Sequence, residues 1–245
     1  MMELLDLAIK AHGGMDRWTE ILSIDLTLSI GGGLWQYKGL PEGLDGVRMH
    51  IKAHQPSVII TPFGDARTVG HFATSGHFMP ERVWIEDPSG NLVSELQMPR
   101  ESFSGHEFIT PWNKLQELYL TSYALWNYLA TPFLLAMPGF ETEEIAPHEE
   151  NGETWRRLAV RFPAGIPTHS PAQTFYFGQN GLLHRLDYDV DIAGGAPGAH
   201  YCFDHMSFGG IIVPTLRRVV TRSSKGADLS GPTGVLVRIS DVVIQ

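Results

Sequence analysis

Apolar and polar residues alternate one for one through most of this chain, and that pattern constrains its fold more than any other feature. In ILSIDLTLSI (21–30), Ile24, Leu26, Leu28 and Ile30 fall on one face, and Ser23, Asp25, Thr27 and Ser29 on the other. A period of two with one apolar face marks a half-buried antiparallel strand. Similar runs follow at VRMHIKA (47–53), SVIIT (57–61), RVWIE (82–86) and LVSEL (92–96). The second half repeats the pattern at TWRRLAVRF (154–162), AQTFYF (172–177), LLHRLDYDVDI (182–192), AHYCFDHMSF (199–208), IIVPTLRRVVTR (211–222) and GVLVRISDVVI (234–244). Turn chemistry separates the runs: Asp87 to Asn91 in the first half, Asn180-Gly181 in the second. Pro214 inside a strand-like run points to an edge position or a bulge.

Two segments break the alternation. Leu4, Leu5, Ala8 and Ile9 recur at helical spacing, and Gly13-Gly14 forms a stop. The larger is WNKLQELYLTSYALWNYLATPFLL (112–135), where Trp112, Leu115, Tyr119, Tyr123, Trp126, Ala130 and Phe133 form a stripe at spacings of three and four. Leu118, Leu120, Leu125 and Leu129 widen it until little polar face remains, so the helix must be covered over most of its circumference. The fold class is therefore mainly β with one major helix: a strongly curved antiparallel sheet or incomplete β-barrel, closed by the aromatic-rich helix. A two-sheet sandwich with the helix at one end is the alternative. No repeat or linker interrupts the chain, so residues 1–245 are expected to form one domain.

Composition limits the function classes. The net charge is −9 and no stretch concentrates Lys and Arg, so nucleic acid is not an expected partner. The pairs Arg156-Arg157 and Arg217-Arg218 read as solvated faces of strands. One cysteine excludes an internal disulfide and multi-cysteine metal motifs. No run approaches the roughly 20 apolar residues needed for a membrane-spanning helix. The start, MMELLDLAIKAHGG, lacks the marks of a signal peptide, which predicts a soluble cytoplasmic protein.

Chemistry-bearing clusters are few. Gly31-Gly32-Gly33 follows a strand, but LWQYKG alternates and opens no helix, so a hairpin turn is expected and not a phosphate loop. In AHYCFDHMSF, alternation puts His200, Cys202 and Asp204 on one face and Tyr201, Phe203 and His205 on the other. His200 and Asp204 then stand about 13 Å apart along the strand, so one metal ion could take His200 with Cys202 or Cys202 with Asp204, but hardly all three. His50 and His54 diverge on a strand. Asp187, Asp189 and Asp191 share a face with Arg185, expected to be a solvated outer face. His71 and His77 flank a loop-like GHFATSGHF segment that could border a pocket. No G-x-S-x-G elbow, P-loop or H-E-x-x-H motif occurs, and no cofactor is implied.

The opening AHGGMDRWTEILSIDLTLSI (helix, Gly-Gly, Trp18, then an alternating strand) resembles the entry of LolA/LolB-like domains. NGLLHRLDYDV followed by GGIIVPTLRRVV resembles their closing strands. The resemblance implies an incomplete antiparallel barrel with helical lids and an apolar cavity for an acyl chain or lipid-like ligand. It carries over no catalytic residues, and the start MMELLDLAIKAHGG departs from the signal segment and N-terminal lipid-attachment cysteine of the named carriers, so lipoprotein transport across a periplasm is not expected.

The expected function is non-enzymatic binding of a hydrophobic or amphipathic small molecule under the 112–131 helix. Tyr119, Tyr123 and Trp126 are the expected lining or capping residues from the helix. Tyr188, Tyr201, Phe203 and His205 are the expected lining from the strands, with His200 and Asp204 facing water. The competing expectation is an enzyme using histidine acid–base chemistry in the same cavity, with His184, His200 or His205 carrying the proton.

Overall fold

The computed structural model describes residues 3–40, 43–64, 74–224 and 226–245. Two short helices, α1 (Leu4–Ala11) and α2 (Met15–Thr19), lead into β1 (Ser23–Gly31). A one-turn helix α3 (Gly33–Tyr37) precedes β2 (Leu44–Lys52), β3 (Val58–Thr61), β4 (Ser75–Met79), β5 (Arg82–Glu86) and β6 (Leu92–Gln97). The major helix α4 (Lys114–Ala130) then leads to β7 (Glu141–Glu150), β8 (Glu153–Arg161), β9 (Ala172–Phe177) and β10 (Leu183–Val190). The long strands β11 (Ala196–Phe208) and β12 (Ile211–Ser223), the short β13 (Gly226–Ala227) and β14 (Val235–Ile244) complete the chain.

All described strands join one antiparallel sheet in the order β6-β5-β4-β3-β2-β1-β14-β12-β11-β10-β9-β8-β7, with β13 on β12. The outermost strands, β6 and β7, do not pair with each other, so the barrel is incomplete. The order explains why one helix suffices. The chain meanders from β1 out to β6, crosses on α4 to the far edge, and meanders back from β7 to β12. Then β14 closes on β1.

Helix α4 starts at Asn113, whose side chain accepts from the Gln116 amide while the Gln116 side chain accepts from the Asn113 amide, a reciprocal cap. Every residue from Gln116 to Ala130 is buried, as a helix without a polar face requires. Beneath it the inward row of β1, Ile24, Leu26, Leu28 and Ile30, is buried in the main core.

Three expectations are corrected by the sheet. The Gly31–Gly33 turn does open a helix, α3, though of five residues only, because Trp35 is buried and pulls the segment inward. Asp187 and Arg185 are not on a solvated face. A second cluster on the outer side of the sheet, built on Trp155, Tyr176, Ala199, Tyr201 and Val220, covers them. Arg157, Tyr176, Arg185, Tyr201 and Arg218 stand in register across β8 to β12, and the Arg185 guanidinium lies 4.8 Å and 5.3 Å from the two tyrosine rings. Alternating cation and aromatic, this ladder gains both cation–π attraction and burial. Finally Arg217, next to Arg218, is not solvated: it is 1% exposed on the inner face, in line with Ile211 and Val213. Pro214 occupies the edge-like position expected of it, since β14 pairs only with Leu216 to Val219 of β12.

Candidate functional site

A cavity of about 400 Å³ lies between α4 and the sheet. Leu120, Thr121, Ala124, Leu125 and Tyr128 of α4 form one wall. These fall at the i, i+3, i+4, i+7 spacing of a single helical face. Opposite stand Tyr188 and Val190 of β10, Gly198 and His200 of β11, Val219 of β12 and Val237 of β14. Tyr37 and Phe108, whose rings are 5.2 Å apart, lie on its rim and are both exposed. Small residues make the space: Thr121 and Ala124 on the helix, and Gly198 directly across the sheet from Tyr188. A Cβ at Gly198 would stand 3.1 Å from the Tyr188 ring, so the ring would have to shift to make room for it.

The rim is held by Lys38. Its side chain is buried, and Nζ donates to the carbonyls of Phe108 at 2.6 Å and of Glu107 and Thr110 at 3.3 Å. It also lies 4.3 Å from the Trp112 ring. Burial pushes its pKa down to about 8.

At the inner end the wall turns polar. Tyr123 Oη is 3.0 Å from His169 Nδ1, and Tyr128 Oη is 2.6 Å from His169 Nε2. Tyr128 Oη is also 3.2 Å from Tyr188 Oη, which is 3.3 Å from His200 Nδ1. Arg217 Nη1 closes the series, 3.4 Å from His200 Nε2 and 3.2 Å from Cys202 Sγ. Arg217 Nη2 donates to the Tyr128 carbonyl at 3.2 Å.

Arginine only donates, and that assigns direction to the whole chain. His200 Nε2 accepts from Arg217, so its hydrogen sits on Nδ1 and is donated to Tyr188. The arrangement that uses every hydrogen then continues from Tyr188 to Tyr128, to His169 Nε2, and from His169 Nδ1 to Tyr123. Both imidazoles are neutral. Burial lowers the His169 pKa to about 3, with Arg100 adding to it, and burial with the Arg217 charge holds His200 well below its usual value. Burial likewise raises Tyr128 and Tyr188. It raises the Cys202 thiol too, against the opposing charge of Arg217.

The expected site residues divide. Tyr188 lines the cavity. Tyr119, Tyr123 and Trp126 are buried on the neighbouring stripe of α4. There Tyr119 packs on Phe78 and Phe103, and Trp126 Nε1 donates to the Lys52 carbonyl at 2.9 Å. Tyr123 reaches the site only through its bond to His169. Tyr201, Phe203 and His205 do not line the cavity, and the expected orientation of β11 is corrected to its opposite. Leu186 pairs with His200 and Arg185 with Tyr201, so His200 shares the inner face with Tyr188, and Tyr201 belongs to the outer ladder. Phe203 is 41% exposed. His205 Nε2 is 2.9 Å from the Leu183 carbonyl. Asp204 is exposed as expected, at a φ of 53°, but His200 is fully buried and does not face water.

The metal pairings resolve differently. His200 and Cys202 do share a face, but the Arg217 guanidinium bridges them and occupies the position a cation would take. Among the described residues, no group of three or more His, Cys, Asp or Glu side chains is arranged to hold a metal. Of the three expected proton carriers only His200 reaches the cavity. His184 stacks on Trp155 at 5.3 Å, because a register shift between Leu183 and Arg185 turns it to the outer face. His77 lies against Trp84 and Glu86 on β4 and β5, and His71 lies outside the described residues.

The sequence does not single out His169 or Tyr128, and it reads Arg217 as solvated where the structure buries it. Parity along IIVPTLRRVVTR places Arg217 with Ile211 and Val213, a signal for an inward arginine. His169 sits in a loop, where no periodicity could single it out.

No family profile and no curated protein matches the sequence. Solved structures do match. A LolA superfamily protein from Nitrosomonas europaea superposes with a TM-score of 0.53 at 10% identity, over 99% of this chain and 92% of that one. A domain assigned to outer membrane lipoprotein sorting, from Vibrio parahaemolyticus, gives 0.53 at 10% identity over 98% and 92%. A DUF1329 family protein from Desulfovibrio piger gives 0.51 at 12% identity over 99% and 92%. The second of these corrects the cytoplasmic expectation: the fold is shared with a domain assigned to outer membrane lipoprotein sorting. No described helix is long and apolar enough to cross a membrane. At these identities the likeness concerns architecture, and in architecture the chain has the LolA-like fold.

Proposed function

We propose that this protein binds a hydrophobic or amphipathic small molecule in the cavity between α4 and the curved sheet, without transforming it. The observation that carries the reading is the cavity itself. It measures about 400 Å³, within the roughly 300–1,000 Å³ of small-molecule sites, and apolar walls lead from an exposed aromatic rim to a buried polar end. An apolar chain would lie along Leu120, Ala124, Leu125, Val190, Val219 and Val237. A polar head would meet Tyr128, Tyr188 and His200. Lipoprotein sorting by a domain of the same fold agrees with a lipid-like ligand.

The acid–base alternative gains little from the site, since His169 and His200 are both held neutral by burial and are weak bases. The binding reading is tested by native mass spectrometry and solvent extraction of the purified protein, together with titration of an apolar fluorescent probe. We expect a co-purifying amphiphile or saturable probe binding at one site. Absence of both sinks the proposal.

A further inference from the structure

Two features of the inner end and one of the cavity wall concern the chemistry of the ligand. The first is charge. Arg217 is 1% exposed, and among the described residues no carboxylate lies within ion-pair distance; its partners are His200, the Cys202 thiol and the Tyr128 carbonyl. Its Nε finds no acceptor. Burial keeps Cys202 protonated and His200 neutral, so neither cancels the cation. An isolated buried charge is costly, and an anion seated nearby would relieve that cost.

The second feature is polarity. Because the chain begins on a donor, its hydrogens all run away from Arg217 and toward the tyrosines. A head that accepts the Tyr188 hydrogen turns it away from Tyr128, while His200 still donates to Tyr188 and Tyr128 still donates to His169. The third is a pair of orphans among the lining residues. Trp35 Nε1 and Thr121 Oγ1 are buried without partners, and an indole N–H can only donate. The charge of Arg217 and the Tyr188 hydroxyl call for an acceptor at the inner end, and the Trp35 indole offers a further donor along the wall. The wall carries no Lys or Arg of its own, which suits one negative charge and not a dianionic phosphate.

We propose that the ligand is a carboxylate-headed amphiphile, its carboxylate accepting from Tyr188 in the field of Arg217. This rests on the reading of the cavity as a binding site. The test compares dodecanoate, methyl dodecanoate and 1-dodecanol as displacers of an apolar probe at pH 7.5, where the acid is ionised. Dodecanoate should bind at least ten-fold more tightly than either neutral analogue. In Tyr188→Phe and Arg217→Met the preference for dodecanoate over the two neutral analogues should collapse. The wild-type comparison stands alone should Arg217→Met fail to fold. Equal affinity of the three overturns the carboxylate assignment and leaves the cavity reading intact. Failure of all three to bind overturns both.

Discussion

The Arg217 guanidinium donates to Nε2 of His200 at 3.4 Å, inside the core and with no carboxylate opposite it among the described residues. Removing one partner of a buried ion pair is strongly destabilising, but here there is no pair to break. Arg217→Met, of similar length and without charge, should therefore leave the ligand-free protein within about 1 kcal/mol of wild type, or stabilise it. Urea midpoints measure this. A loss above about 3 kcal/mol would identify Arg217 as a structural element and not a site held ready for an anion.

The buried histidines make stability fall in mild acid. His12 is pushed down to about 4 and His169 to about 3, in both cases mainly by burial. The unfolded chain protonates them near 6.5, so it takes up protons first as the pH drops. Their contribution is complete above pH 6.5 and is lost as the pH falls toward 4 and 3. At pH 5 each should have cost about 2 kcal/mol relative to neutral pH. Denaturant unfolding of wild type and His169→Gln at pH 7.5 and 5.0 checks it: the variant should lose about 2 kcal/mol less between the two. Equal losses would show that His169 is not buried neutral.

Space beside α4 is unequal along its length. Ala124 borders the cavity, so Ala124→Leu should cost under about 1 kcal/mol and weaken probe binding at least ten-fold. Gly76 on β4 meets the helix directly, where a Cβ would stand 2.8 Å from both Leu118 Cδ1 and the Phe63 ring. Gly76→Ala should cost about 1–3 kcal/mol by overpacking. Thermal or urea unfolding of both variants separates these outcomes. Equal destabilisation would mean that the space beside Ala124 closes in solution.

Much of the architecture was legible residue by residue. Alternation in β1, β5, β10 and β12 marked strands, and in β1 the inner face as well, because burial of one face imposes a period of two. The aromatic run marked α4 for the same reason at a period near 3.6. Strands β4 and β7 escaped notice: SGHFM is short, and ETEEIAPHEE on the sheet edge is mostly exposed, so neither buries enough to leave a pattern.

The site was harder to see. Alternation correctly separated His200 and Cys202 from Tyr201 and Phe203, yet nothing local says which set looks inward. That follows from the register of β10 on β11, where His200 lies opposite Leu186, and a shift by one residue would exchange the faces. On α4 the large aromatics drew the eye, but a cavity opens where side chains are small, at Thr121 and Ala124. The sequence by itself determined an antiparallel sheet crossed by one buried helix, since hydrophobic period is a local property of the chain. Only the tertiary structure decided that Arg217, His200, Tyr188, Tyr128 and His169 form one hydrogen-bonded chain. Those residues come from three strands, a helix and a loop, and pairing and packing alone bring them within reach.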